Sequence, residues 1–431
     1  MSADPLPVPS PRRLRQNRFI FLTEEILFLF AAALLDARTL LPAFVRGYGA
    51  SLLLVALLPV IRSGGQLLPK LPAAHLMRSH RRKKPWVVGA GMVSRLPMAA
   101  TPALLFVDPG APAPLVLAVF YVSLTLFSVA DSFVGVAWYD IFGKSTPEGD
   151  RPWLFRAMSV GGAAMGLAGG ALITVLLDSS HWRFPTNYAL ILAVAFAALA
   201  IELSLLSALV EPEGNAAPPR EQRSRTLSEL RRLLGDGGPF ARLMAGQALL
   251  GVPALAWGLY TPYALGSLHL PVDSTGIFVA ATAAGAAAGG LGLPIVARRW
   301  GRQSVLLLSA LPVIMAPLLV VAAGALPSAV DRELLCAASF ACQGLSTTGL
   351  FMGIGDLVLA LAPADERPLY IGLANTIGGV VVPLPLLGVL VAQWTCPPLV
   401  LWLCPLPALW GAVVLWRLRA SAPPAAAAGR M

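Results

Sequence analysis

Charge is what this chain has least of: only 13% of its 431 residues are Asp, Glu, Lys or Arg, against about a quarter in a typical soluble domain. With 57% hydrophobic residues and a mean hydropathy of +0.72, that shortage excludes an ordinary water-soluble globule and places the chain in a lipid bilayer. Cysteine and histidine are scarce too, with four of each. Cys336, Cys342, Cys396 and Cys404 fall inside or at the edge of apolar runs and lack C-x-x-C or Cys/His ligand spacing. They read as small packing residues, and no disulfide, metal or cofactor is expected. His75 and His80 sit at a basic loop, and His181 and His269 at the ends of apolar runs, so no clustered nucleophile and base is available for enzyme chemistry. No G-x-x-x-x-G-K-S/T phosphate loop occurs, and no polar segment is long enough to hold an ATP-binding domain. The first apolar run lacks a small-residue cleavage motif, so no removable leader is expected.

What the chain does have is a duplication. Asp140 to Pro152 (DIFGKSTPEGDRP) has a counterpart half the chain away in Asp356 to Pro368 (DLVLALAPADERP), with Asp140/Asp356, Pro147/Pro363, Arg151/Arg367 and Pro152/Pro368 identical. Leu41-Pro42 answers Thr261-Pro262, and GGQLLP from Gly64 answers GGLGLP from Gly289. The matches agree in order and spacing, as fused structural repeats do. A helical crossing needs roughly 20 apolar residues, and about twelve such runs are present. The first six lie near 19–44, 50–73, 86–107, 114–141, 153–177 and 186–210; the second six lie near 240–264, 274–297, 303–326, 334–360, 368–392 and 397–417. The expected organisation is an all-α membrane protein: a cytosolic tail (1–18), a six-helix half (19–210), a linker (211–239), a second half (240–417) and a cytosolic tail (418–431).

A formal charge of +10 does not imply nucleic acid here, because basic residues on multi-spanning proteins gather in short cytosolic loops. If both termini are cytosolic, only Arg46, Arg183 and Arg332 fall in external loops, while the RSHRRKK cluster from Arg78 falls inside. The linker carries a capping box, Thr226 with Glu229, and an apolar stripe at Leu227, Leu230, Leu233 and Leu234. A short amphipathic helix on the membrane surface is expected there, with a flexible tether as the alternative.

Twelve spans in two like halves, a basic middle loop and a P-x-x-D/E-R signature in loops four-five and ten-eleven resemble the major facilitator superfamily over nearly the whole chain. After span eight, Arg299, Gly301 and Arg302 match part of that family's G-x-x-x-D-R-x-G-R loop. The resemblance implies two six-helix halves around a central cavity that opens alternately to each side, with spans five and eight meeting across the halves, as do two and eleven. It also implies that Asp140, Arg151, Asp356 and Arg367 form a cytosolic gate. Independently, Gly162, Gly166 and Gly170 on span five and Gly285 and Gly289 on span eight recur every four residues, giving smooth ridges for close helix approach.

A charge near mid-bilayer costs on the order of 3 kcal/mol, so each one needs a reason. Span one carries Glu24, Glu25, Asp36 and Arg38; spans two, three, four and six carry Arg62, Arg95, Asp131 and Glu202. On an unbroken helix Glu25 and Asp36 lie within about 20° of each other. Asp36 and Arg62 fall at similar depth. Burial and a neighbouring guanidinium act oppositely on a carboxyl's proton, so Asp36 or Asp131 is expected to carry a proton, with Arg62 and Arg38 as counter-charge or anion contact. The alternative is fixed structural ion pairs. Glu24 and Glu25 are expected at the solvated interface, and Arg95 and Glu202 in structural pairing. In the second half Trp257, Tyr260, Tyr263, Gln343 and Asn375 suit a small neutral or amphipathic organic substrate.

The function these features predict is a monomeric, multi-pass secondary transporter in the cell membrane, moving a small organic molecule by alternating access, with protons as coupling ion and export favoured. Uptake of an organic anion, facilitated diffusion, or a sensor or membrane enzyme on the same scaffold are the alternatives.

Overall fold

The computed structural model describes residues 11–77, 79–212, 237–363 and 367–421, with Leu233 and Gly235. The linker helix expected from Thr226 otherwise lies outside the described residues, as does the side chain of Arg367. Among the described residues the fold is helical, with 11 helices long and apolar enough to cross a membrane. Spans two to six are Leu52–Met77, Lys84–Val107, Ala113–Ser145, Arg151–Asp178 and Thr186–Ser207. Spans seven to twelve are Pro239–Ser267, Ser274–Trp300, Arg302–Ala323, Ala329–Leu361, Tyr370–Trp394 and Pro397–Arg417.

Span one is not among the eleven; it consists of two helices, α1 (Pro11–Leu34) and α2 (Leu40–Gly47). Its break has a local cause. Asp36 Oδ1 accepts the backbone N–H groups of Arg38 and Thr39, both at 2.8 Å, and the Thr39 hydroxyl at 2.9 Å, offering the main chain an alternative to the helix. The expectation that Glu25 and Asp36 share one helix face is therefore corrected: Asp36 sits in a turn. Asp36→Ala is expected to lose this cap, about 1 kcal/mol, seen as a lower thermal unfolding midpoint of the purified protein. Helix also starts at Pro11, ahead of the expected 19, because Asn17 exchanges hydrogen bonds with the end of span six: Nδ2 donates to Val210 O at 2.9 Å and Oδ1 accepts from Val210 N at 3.1 Å.

Span seven is interrupted at the corresponding place. An α-helix ends at Gly251, a 3-10 turn covers Val252–Ala256 at Pro253, and helix resumes at Tyr260. The repeated Leu41-Pro42 and Thr261-Pro262 thus each follow a break in the equivalent span. The two breaks touch, since Thr261 Oγ1 donates to the main-chain oxygen of Arg38 at 2.6 Å.

An even number of crossings returns the chain to the face it left, called here the terminal face; the other is the distal face. Each half buries one apolar cluster near each face. In the first half these centre on Phe21, Trp138 and Phe142 (terminal) and on Phe44, Phe120 and Tyr188 (distal). In the second they centre on Phe240 and Tyr370 (terminal) and on Tyr260, Phe278 and Phe340 (distal). A fifth, small cluster joins Ala56 of the first half to Leu259, Val389 and Val400 of the second.

The halves also meet along spans five and eight. A methyl group on Gly170 would fall 2.5 Å from Gly276 O, one on Gly166 2.6 Å from Ala283 Cβ, and one on Gly276 2.4 Å from Gly170 O. Gly162 turns elsewhere, to Leu29 of span one, while Gly285 and Gly289 pack on span ten at Ala341 and Leu345. Spans two and eleven approach at Gly64 and Val382.

Candidate functional site

Most of the in-span charges of the first half converge. Arg95 is the centre: Nε and Nη2 each lie 3.0 Å from the two oxygens of Glu202, and Nη1 lies 3.0 Å from Asp131 Oδ1. Arg62 Nη1 approaches the other Asp131 oxygen at 3.7 Å, with the Gln66 carboxamide against both. Glu24 accepts from Trp138 Nε1 at 2.5 Å. Aromatic faces support the guanidinium groups, Phe127 at 4.7 Å from Arg62 and Phe28 at 5.9 Å from Arg95, a favourable placement of cation over ring.

Arg95, Glu202 and Glu24 are each 1% exposed and Asp131 is 8% exposed. The placement of Glu24 at a solvated interface is thereby corrected; its carboxylate turns inward because Trp138 supplies a buried donor. These groups line a cavity of about 370 Å³ with Glu25, reaching Phe351 of span ten in the other half. Four carboxyl groups, Glu24, Glu25, Asp131 and Glu202, line it with two cations, Arg95 and Lys70, while Arg62 approaches Asp131 from outside the lining. Arg95 and Glu202 do pair as expected, but the same guanidinium also grips Asp131, so the pair belongs to this site. Asp36 does not join it. It lines a separate cleft of about 440 Å³ between spans one, five and eight, beside Gly162 and Gly166.

A second cavity of about 230 Å³ lies in the other half. Trp257, Tyr260 and Gln343 line it, together with Gln247, Thr347 and, from span one, Arg38. The Arg38 guanidinium lies 5.0 Å from the Trp257 ring centre. The break in span one carries Arg38 across the interface, which no helical periodicity shows. Tyr263 is half-buried with its hydroxyl near Gly324, and Asn375 is exposed; neither lines this cavity.

At the terminal face Asp140 pairs with Lys144 one turn along. Arg151 approaches Glu148 at 3.8 Å and donates to Gly143 O at 2.7 Å. Asp356 lies 3.3 Å from Arg302. Among the described residues each of these contacts stays within its own half, and the ties between halves described above lie deeper or toward the distal face.

A family model described as the Major Facilitator Superfamily matches residues 26–382. The chain belongs to that superfamily. No curated protein matches it by sequence. Among solved structures, a bacterial homologue of the iron transporter ferroportin in its inward-facing state is similar at 16% identity and a TM-score of 0.68, covering 95% of this chain and 99% of that one. The same homologue facing outward scores 0.61 at 16% identity, covering 94% and 99%. A D-xylose-proton symporter scores 0.68 at 12% identity, covering 94% and 98%. At such identities the likeness is one of fold. Membership of the superfamily makes this chain a multi-pass membrane transporter and not an enzyme.

Proposed function

We propose that this superfamily member is a secondary carrier that exports a small organic solute by alternating access, coupled to protons, acting as a monomer in the cell membrane with both termini cytosolic. The observation that carries the coupling is that four carboxyl groups meet three cations, Arg62, Lys70 and Arg95, in a cluster that is buried yet lines a cavity. A proton reaching Asp131 cancels the charge that holds Arg62 and Arg95, and the released guanidinium groups are free to rearrange against Glu202 and Glu25. The concentration of basic loops at the terminal face supports a cytosolic placement of that face. Aromatic and amide walls in the second cavity support an organic cargo. Among the described residues no three His, Cys, Asp or Glu side chains form a group that could hold a metal ion, so the ferroportin likeness is not extended to cargo.

The test is internal pH in sealed proteoliposomes during a screen of pooled solutes, with Asp131→Asn alongside. Solute-dependent proton movement is expected for the wild type and its loss for the variant. Solute flux without proton movement would leave a facilitator, and no flux from any pool would sink the carrier reading.

A further inference from the structure

The second cavity contains polar groups with nothing to bind. Gln343 is 6% exposed, yet neither its Nε2 nor its Oε1 has a hydrogen-bond partner. Gln247 donates from Nε2 to Ala374 O at 3.0 Å, but its buried Oε1 is bare. The neighbouring hydroxyls are spent on the main chain: Ser346 and Thr347 donate to Gln343 O at 3.0 and 2.8 Å. Buried amides are normally paired, so three bare atoms in one cavity call for a ligand that carries both donors and an acceptor. Arg38 adds the sign of the charge. It enters from the other half, and among the described residues no carboxylate lies within ion-pair distance of it.

We infer that this cavity takes a small amphipathic organic acid. Its carboxylate meets the planar fork of Arg38, which matches two carboxylate oxygens at once. Its apolar body lies against Trp257 and Tyr260. A hydroxyl or N–H on that body meets Gln247 Oε1 and the Gln343 amide. The inference rests on the carrier reading and narrows its cargo from an organic solute to an organic anion. The acid touches both halves, Arg38 from the first and the amides and aromatics from the second. Bound, it fastens one half to the other at the point where spans one and seven are broken.

The experiment compares acids with their neutral amides, so that shape is nearly held constant while charge is removed. Thermal unfolding of the purified full-length protein is followed with 4-hydroxybenzoate against 4-hydroxybenzamide, and with indole-3-acetate against indole-3-acetamide. Both acids are expected to raise the midpoint in a saturable way and the amides not to. Arg38→Gln is expected to weaken the acids by about tenfold or more, with Arg38→Lys retaining part of the binding. Amides that stabilise as well as the acids, or no stabilisation by either acid, would overturn the inference without recourse to any variant. Binding of the acids without flux in proteoliposomes would instead sink the carrier reading and leave the site standing.

Discussion

Arg95→Leu is expected to destabilise the folded protein by about 3–5 kcal/mol, the cost of leaving buried carboxylates without their partner. Arg95 satisfies two of them at once, through three contacts of 3.0 Å, and its side chain is 1% exposed. Of the other cations, Arg62 approaches Asp131 at 3.7 Å and Lys70 lines the same cavity. The double variant Arg95→Leu/Glu202→Leu should recover part of the loss, because apolar groups can replace a buried pair without leaving a bare charge. The proposed proton-coupled transport should not return with it, since Asp131 still lacks its main counter-charge. Thermal unfolding in detergent and proteoliposome flux, taken together, test this. An unfolding midpoint for the single variant equal to that of the wild type would show that the cluster is solvated and not a buried network.

Gly170→Ala should act on transport and not primarily on folding. Its methyl group would lie 2.5 Å from Gly276 O and 2.7 Å from Ala280 Cβ, both across the seam between the halves, so spans five and eight must separate. Overpacking of this kind costs about 1–3 kcal/mol, here charged to the state in which the seam is closed, which is a population change of roughly 5–150-fold. Turnover in proteoliposomes should fall accordingly. Gly292→Ala on span eight, where a methyl group meets nothing within 4 Å, should leave turnover near that of the wild type. Equal rates for the two variants would mean that the seam does not close tightly during the cycle.

The architecture was legible because bilayer thickness sets helix length and duplication repeats it. Eleven of the twelve expected apolar runs correspond to candidate spans. The first does not, because hydropathy averages over Asp36 and cannot register that its carboxylate has turned back on the main chain. That one break undid an inference from helical geometry, the shared face of Glu25 with Asp36. The charges themselves were visible as anomalies, and their rarity in apolar runs is the signal that finds Glu24, Arg95 and Glu202 as well as Asp131. Their partners were not visible, since Arg95 and Glu202 stand on different spans and only packing decides which carboxylate a guanidinium reaches. Among the aromatic and amide residues, Trp257, Tyr260 and Gln343 share a cavity while Tyr263 and Asn375 do not, a distinction that depends on the irregular turns after Gly251.

The hydrogen bond from Thr261 ends on the main-chain oxygen of Arg38, not on its side chain. Every amino acid has that oxygen, so position 38 is open to replacement without untying the two broken spans. On the proposed reading, recognition of the passenger and the tie between the two broken spans are thus written in different parts of one residue. A descendant of this chain that exchanged Arg38 for a neutral or acidic residue would keep the lock and change the key.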